Sequence, residues 1–274
     1  MSVFLQKLTI KDWILFNELN IWNNMILIKL GGSIITNKEK PLSARRKTIE
    51  KIVKYLKKIN EPMIIVHGGG SFGHYWSVKY DMHTKPMIYN MHGVSVVKNS
   101  MIELNKIILD IFLKNNLNPY CLPPTDFMIG NKPSIKKIKE IKKMAKADLI
   151  PITFGDALWQ RNKKTYILSG DKIMTYLAEI LKPKLTIFAL NEDGLYSDLK
   201  SKKLIREMIK EKPTMLENKM DVTGGMARKV EEATKIAKIG IKVFFVNGNK
   251  PERIVKAVKN SKFEGTVFRG KRNG

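Results

Sequence analysis

Hydrophobic and polar positions along the chain predict strands and helices in turn. Short apolar runs bounded by polar or glycine-rich segments are typical of buried strands. They lie at 26–30, 63–66, 118–122, 149–154, 185–190 and 243–246. Longer segments, two of them with a clear apolar stripe, are predicted as helices at 44–58, 96–113, 134–146, 171–181, 223–239 and 251–258. Strands and helices therefore alternate from residue 26 to residue 258.

This alternation predicts an α/β fold with an open, mostly parallel sheet sandwiched between helices. Ligands of such sheets bind beyond the carboxyl ends of the strands. We expect residues 25–274 to form a single domain, with one half at about 25–168 and the other at about 169–274. Residues 1–24 stand apart as an N-terminal extension of unknown role. Either Met25 is the true start, or the extension is an added amphipathic helix.

Two glycine-rich segments follow early predicted strands and predict a site for phosphate groups. The first is Lys29-Leu30-Gly31-Gly32-Ser33, and the second is the eight-residue segment from His67 to His74. Glycine lets a backbone come close to a ligand and turn its N–H groups toward an anion. A histidine at the end of such a loop adds a donor that is chargeable near neutral pH. Two loops of this kind would suit a kinase that acts on a phosphorylated acceptor.

Three charged residues near glycines are candidates for the same site. Lys29 ends an apolar strand, so its charge must face a ligand cleft or stay unpaired in the core, which is costly. Asp171 opens a predicted helix and serves either as its N-cap or as a carboxylate that orients lysines across the cleft. Lys229 follows the glycines of segment 221–226, which is either a phosphate cradle at a helix start or a plain glycine turn.

Composition narrows the possible functions. The chain has 50 lysine and arginine residues against 25 aspartate and glutamate residues, a formal net charge of +25. This surplus fits nucleic acid, an anionic membrane or anionic small substrates, or lysines that are simply solvated. In helix 134–146 the stripe is formed by Ile135, Ile138, Ile141 and Met144, and we expect the lysines to face solvent. No zinc-finger or RNP-like pattern accompanies the charge, and no apolar stretch is long enough to cross a bilayer.

Several other site classes are disfavoured by the sequence. Gly68, Gly70 and Gly73 also match the dinucleotide pattern G-x-G-x-x-G, but residues 85–100 lack the acidic residue which that site requires. A P-loop motif is absent from the chain. The single cysteine, Cys121, excludes an intramolecular disulfide, and we expect it to be a small buried residue of a cytoplasmic protein.

Together these residues resemble the amino acid kinase superfamily and, within it, the isopentenyl phosphate kinase family. The resemblance covers about residues 25–266. It rests on the Lys-Leu-Gly-Gly-Ser loop with Lys38 beyond it, the glycine segment ending in His74, Ser169-Gly170-Asp171, and segment 221–226 with Lys229. Two positions differ: Lys172 replaces an acidic or small residue, and Leu190-Asn191 replaces a common Thr-Asp pair.

The resemblance implies an activity and a set of site residues. The expected reaction is ATP-dependent phosphorylation of isopentenyl phosphate to isopentenyl diphosphate in isoprenoid synthesis, with ATP and Mg²⁺ as cofactors and no protein residue as a metal ligand. The implied catalytic residues are Lys29, Lys38, His74 and Asp171. The implied ATP-binding residues are Lys29, Gly31, Gly32, Ser33, Gly70, Asn191, Gly225 and Lys229. The implied acceptor-binding residues are Gly69, His74 and Gly170.

Two other functions stay open at this point. A kinase for another small phosphate or phosphonate, such as fosfomycin, would need the same phosphate loops. Only an apolar pocket for the hydrocarbon tail would distinguish an isopentenyl phosphate kinase from it. A basic nucleic-acid-binding protein is the candidate from a different class, but it has no need for glycine loops. The resemblance also implies a homodimer, and we expect neither nucleic acid nor a membrane as a partner.

Overall fold

The computed structural model describes residues 24–37, 39–82, 87–160, 163–198, 200–209 and 224–270, and a sheet of eight strands forms its centre. The strands, in chain order, are β1 (Ile26–Leu30), β2 (Met63–His67), β3 (Pro119–Cys121), β4 (Met128–Ile129), β5 (Lys132–Pro133), β6 (Ile150–Phe154), β7 (Asp156–Trp159), β8 (Thr165–Leu168), β9 (Leu185–Leu190), β10 (Leu195–Asp198), β11 (Lys203–Ile205), β12 (Glu207–Ile209), β13 (Lys242–Asn247) and β14 (Thr266–Arg269). The central sheet has the order β12–β14–β13–β9–β1–β2–β6–β3, and each of its pairs is parallel except β13 with β14.

Helices cover both faces of this sheet. They are α1 (Gly32–Ile35), α2 (Arg46–Leu56), α3 (Gly70–Lys79), α4 (Met91–Lys114), α5 (Ile135–Lys146), α6 (Gly170–Leu181), α7 (Gly224–Lys238) and α8 (Glu252–Val258). One apolar core joins the sheet to α1, α2, α3, α4 and α8, and a second joins its other face to α5, α6 and α7. Each core contains residues from both predicted halves of the domain, the one that ends near residue 168 and the one that follows it.

The strand β1 shows how the sequence produces these layers. Side chains alternate between the faces of a strand. Ile26, Ile28 and Leu30 therefore enter the first core, while Leu27 enters the second. Lys29 shares the face of Leu27, where it is 4% exposed. A charge so deeply buried needs a partner, and this requirement places the candidate site at the end of β1.

The α/β fold with a mostly parallel sheet between helices is confirmed, and so are the six predicted strands and six predicted helices, within a few residues at their ends. Three local expectations were wrong. Residues after Gly70 form the helix α3 rather than a loop, so His74 lies inside a helix. Cys121 is exposed, because the edge strand β3 is not covered there. Ile135 is 59% exposed rather than part of the buried stripe, because it stands at the first position of α5.

The N-terminal extension, residues 1–24, lies outside the described residues except for its last position. In the described part of the chain, no helix has the length and apolar character needed to cross a membrane.

Candidate active site

A cleft of about 1330 Å³ opens beyond the carboxyl ends of β1 and β2, where ligands of parallel sheets bind. Most residues expected in the site line this one cleft. They are Lys29, Gly32, Ser33, Gly69, Gly70, His74, Gly170, Asp171, Gly225 and Lys229. Gly31 lies beneath the lining, where its N–H donates to Ala189 O at 3.0 Å. The structure thus brings together residues that are as far as 200 positions apart in the chain.

Two glycine-rich turns pack against each other in this cleft. A methyl group on Gly32 would lie 2.4 Å from the backbone nitrogen of Gly70, and one on Gly68 would lie 2.8 Å from that of Gly32. Side chains cannot approach so closely, so the packing itself requires glycine. Gly70 also has a φ of +48°, a conformation that favours glycine. The first turns of α1 and α3, whose N–H groups have no acceptor within their own helix, therefore start side by side.

Thr36 links the two turns and was not predicted. Its hydroxyl donates to Gly32 O at 2.8 Å and accepts from Ser71 N at 2.9 Å. The residue is 1% exposed, so this bridge is shielded from water. A threonine a few residues after a glycine loop carries no distinctive sequence signal, because its partner comes from a segment 35 positions away.

Lys29, Asp171 and Lys229 form a charged cluster on the cleft wall. Lys29 Nζ donates to Asp171 Oδ1 at 2.5 Å, and Lys229 Nζ lies 4.0 Å from Asp171 Oδ2. Ser169 is the N-cap of α6, with its hydroxyl accepting from Lys172 N at 3.2 Å. The capping role considered for Asp171 therefore belongs to Ser169, and the Asp171 carboxylate faces the two lysines.

The cluster carries an excess of positive charge. Burial pushes the pKa of Asp171 up, but the charges of Lys29, Lys229 and Arg228 and the hydrogen bond from Lys29 lower it below its ordinary value. Asp171 is therefore ionised at neutral pH and balances only part of the surrounding charge. Arg228 lines the cleft as well, although in so basic a chain the sequence did not distinguish it. Such a surface suits an anion with several charges.

His74, Gly69 and Gly170 line the same cleft from the starts of α3 and α6. His74 is in the second turn of α3, exposed, and Gly69 is the N-cap residue of that helix. A methyl group on Gly170 would lie 3.2 Å from the Lys29 side chain and 3.1 Å from His67 O. Gly170 therefore allows the start of α6 to approach the strands closely enough for Asp171 to reach Lys29.

His67 supports the glycine turn from beneath. It is fully buried, stacks on Phe154 with ring centroids 5.2 Å apart, and makes 3.2 Å contacts with Gly68 O and Asn105 Oδ1. Burial lowers its pKa to about 4. The ring is therefore neutral at physiological pH, and it positions the turn rather than binding an anion.

Asp156 and Lys98 form a second ion pair at the cleft, with Lys98 Nζ 2.5 Å from Asp156 Oδ2. The Asp156 side chain is fully buried, and burial raises its pKa despite the charge and hydrogen bond of Lys98. The pair connects α4 to the start of β7, next to Gly155. No local sequence pattern indicates this ion pair, because the two residues are 58 positions apart.

Of the predicted residues that the structure describes, Gly31 and Asn191 are not part of the lining. Lys38 lies outside the described residues. Asn191 is exposed and turns toward the loop after β13, where its Oδ1 accepts from Asn249 Nδ2 at 2.8 Å. Across the described ranges, no group of three or more histidine, cysteine, aspartate or glutamate residues could hold a metal ion.

Comparison with known proteins gives a consistent result. The Amino acid kinase family matches residues 24–247. The isopentenyl phosphate kinase of Thermoplasma acidophilum is 33% identical over 254 residues, which are 89% of this chain and all of that protein. The isopentenyl phosphate kinase of Methanocaldococcus jannaschii is also 33% identical, over 88% of this chain and 97% of that protein.

A solved structure agrees with these relatives. The crystal structure of a product complex of the T. acidophilum isopentenyl phosphate kinase superposes with a TM-score of 0.76 and 30% sequence identity. The superposition covers 90% of this chain and all of the T. acidophilum chain. The fold, the arrangement of the cleft and the sequence similarity lead to one assignment: the chain belongs to the amino acid kinase family, in the group of the isopentenyl phosphate kinases.

Proposed function

We propose that the protein transfers the γ-phosphoryl group of ATP to isopentenyl phosphate, which yields isopentenyl diphosphate and ADP. The observation that carries this proposal is the cluster of Lys29, Asp171 and Lys229 beside two interlocked glycine turns. The similarity to two isopentenyl phosphate kinases over nearly nine-tenths of the chain supports the same reaction.

The chemistry explains why this cleft has no need of a general base. The second pKa of a phosphate monoester is about 6, so the acceptor is already an anionic nucleophile at neutral pH. One of its oxygens attacks the γ-phosphorus, and a new P–O bond forms as the bond to the bridging oxygen of ADP breaks. No proton has to be removed. Catalysis then consists of bringing two anions together and stabilising the charge on the transferred group.

Each side chain of the cluster has a role in this reaction. Lys29, held by Asp171, contacts the transferred phosphoryl group, and we expect the same of Lys38. Lys229, with the backbone at Gly32, Gly70 and Gly225, binds the ATP phosphates. Mg²⁺ enters as part of the substrate MgATP, whose own oxygens supply most of its ligands.

The acceptor occupies the wall formed by α3 and α4. Gly69, His74 and Gly170 hold its phosphate, and the hydrocarbon tail follows the apolar lining of the cleft. This lining consists of Val78, Met82, Met87, Val97, Met101, Ile167 and Leu168. Such a surface favours a prenyl chain over a small polar phosphonate such as fosfomycin.

An assay of ADP release tests the assignment. Purified protein with MgATP is offered isopentenyl phosphate, shorter alkyl phosphates, inorganic phosphate and fosfomycin. We expect the highest kcat/KM for isopentenyl phosphate, since only its tail fills the apolar lining. Efficient turnover of fosfomycin without turnover of isopentenyl phosphate would contradict the proposal and identify fosfomycin as the acceptor.

We also propose a homodimer in the cytoplasm. Met91, Ile102 and Leu113 on α4 are 43%, 52% and 58% exposed, respectively. They are eleven residues apart, about three helical turns, so they lie on one face of α4. We infer that this face, which also exposes the polar side chains of Ser95 and Lys106, is the interface between two copies.

A further inference from the structure

A second polar contact joins α6 and α7 one helical turn away from the cleft cluster. The Thr175 hydroxyl donates to Glu232 Oε2 at 2.5 Å, and the two residues are 1% and 8% exposed. Thr175 is four residues after Asp171, and Glu232 is three residues after Lys229. Residues at these spacings share a helix face. The contact between Asp171 and Lys229 and that between Thr175 and Glu232 are therefore neighbours along the same pair of helices.

Both oxygens of the buried carboxylate have partners. Glu232 Oε2 accepts from Thr175, and Oε1 accepts from Lys235 Nζ at 2.9 Å. Burying a carboxylate costs free energy even when it is paired, and apolar side chains of similar size would hold two helices together as well or better. What the hydrogen bond adds is a fixed direction and distance between α6 and α7. The surrounding contacts, which include Leu177, Ala233 and Ile236, are apolar and not directional.

We propose that Thr175 and Glu232 are positioning residues for the ATP phosphates. Their hydrogen bond fixes the register of α7 against α6 and so sets the distance of Lys229 from Asp171. The residues that α7 contributes to the cleft, Gly225, Arg228 and Lys229, all lie within two turns of Glu232. This inference rests on the use of ATP in the proposed function and is independent of the acceptor.

The test compares variants of one hydroxyl with a matched control on α7. Thr175→Val replaces the hydroxyl by a methyl group, and Thr175→Ser retains it. Glu231→Gln is the control, because Glu231 binds the same Lys235 at 2.6 Å but its side chain is 62% exposed. The measurements are the Kd of ADP by calorimetry, KM for ATP and for isopentenyl phosphate, kcat, and the Tm of each variant.

Thr175→Val should raise the Kd of ADP and the KM of ATP about tenfold, since a misplacement of about 1 Å can cost on the order of a hundredfold and we expect a smaller shift of α7. In Thr175→Val the KM of isopentenyl phosphate should stay within about twofold of wild type. Thr175→Ser keeps the buried hydrogen bond and Glu231→Gln does not involve it, so both variants should bind ADP within about twofold of wild type.

Unchanged ADP affinity in Thr175→Val, whatever its Tm, would overturn the inference. An equal rise in the KM of both substrates would overturn it too, and so would a Thr175→Ser variant that binds ADP as weakly as Thr175→Val. If Thr175→Val does not fold, Thr175→Ala removes the same hydroxyl with a better helix former and decides by the same criteria. A wild-type protein that binds ADP but does not phosphorylate isopentenyl phosphate would contradict the acceptor assignment, and the ADP affinities would still decide this inference. A wild-type protein that binds no ADP would overturn both.

Discussion

Lys29 places a charge at the end of an otherwise apolar strand, and its 2.5 Å hydrogen bond to Asp171 holds the amine in the cleft. In the proposed reaction the charge of the transferred group develops beside this amine, so we expect Lys29→Ala to lower kcat by about a hundredfold or more. The Kd of ADP should change much less. Lys184→Ala is the control, since Lys184 is exposed and precedes β9 at the opposite end of the strands. A Lys29→Ala enzyme that differs only in the KM of ATP would contradict the role.

His74 is the side chain that we assign to the acceptor phosphate. It lines the cleft from α3, and a hydrogen bond to a charged group contributes about 1.5–3 kcal/mol. His74→Ala should therefore lower kcat/KM for isopentenyl phosphate by one to two orders of magnitude, while the Kd of ADP stays nearly the same. His92→Ala is the matched control, because His92 lines a separate, smaller cavity beside α4. Wild-type turnover by His74→Ala would exclude this assignment.

His67 predicts a dependence of stability on pH. A histidine in the unfolded chain titrates near 6.5, whereas burial lowers the pKa of His67 to about 4 in the folded protein. Between these values the unfolded chain binds more protons. The contribution of His67 is therefore fully present above pH 6.5 and is lost as the pH falls, by about 3 kcal/mol in the free energy of unfolding at pH 4.

Urea unfolding of the wild type and of His67→Gln at pH 4.5 and pH 7 measures this effect. The difference in unfolding free energy between the two pH values should be smaller in His67→Gln, since glutamine does not titrate. Carboxylates contribute equally to both proteins, so the comparison isolates the histidine. Identical pH dependence in the two proteins would show that His67 is already accessible to protons in the fold.

Single residues were predictable from the sequence where their chemistry conflicted with their neighbours. Lys29 is such a case, because a charge that ends an apolar strand requires an explanation. Asp156 and Thr36 are not, since their partners Lys98 and Ser71 come from distant segments. Local patterns carry no information about such contacts until the fold brings the segments together.

At the scale of elements, the two glycine turns form one packing unit. Gly32→Ala would place its methyl group 2.4 Å from Gly70 N, so α1 and α3 must separate. We expect a loss of about 1–3 kcal/mol in the free energy of unfolding, typical of overpacking, together with a large loss of kcat. Gly240→Ala is the comparison: its φ of +85° makes alanine costly by about 1–2 kcal/mol, but it follows α7 at a distance from the cleft and should keep kcat. Equal kcat in both variants would show that the turns need no close contact.

The same elements explain which parts of the fold were predictable. The helix α2 was recognised because Ile49, Ile52, Val53 and Leu56 form a stripe, and all four are buried. The helix α3 was missed, because Gly70 and Gly73 are poor helix formers and its apolar residues are not confined to one face, since Tyr75 and Val78 are exposed. It forms because the first core buries Phe72 and the close contact of the glycine turns fixes its first residue.

At the scale of the molecule, the basic residues behind the net charge of +25 are spread along the whole sequence. On α5, Lys136, Lys137, Lys139 and Lys143 are exposed as expected. Lys142 departs from that expectation: it is half-buried and donates to Leu181 O at 3.2 Å. The described part of α5 has no aromatic side chain between its lysines on which bases could stack. This distribution favours solvated lysines and an anionic small substrate over a nucleic acid.

The dimer proposal places the interface on the face of α4 that carries Met91, Ile102 and Leu113. If two copies meet at this face, a glutamate at position 102 would bury an unpaired carboxylate in the interface. Such burial is very costly, so the copies should separate. Light scattering of the wild type at moderate salt should therefore give twice the mass of one chain, and Ile102→Glu should give a single chain mass at the same concentration. Ile135→Glu is the matched control, since Ile135 is equally exposed but belongs to α5 on the other side of the sheet, and it should remain dimeric. A wild-type protein that is monomeric and active would exclude the dimer, and a dimeric Ile102→Glu variant would move the interface to another face.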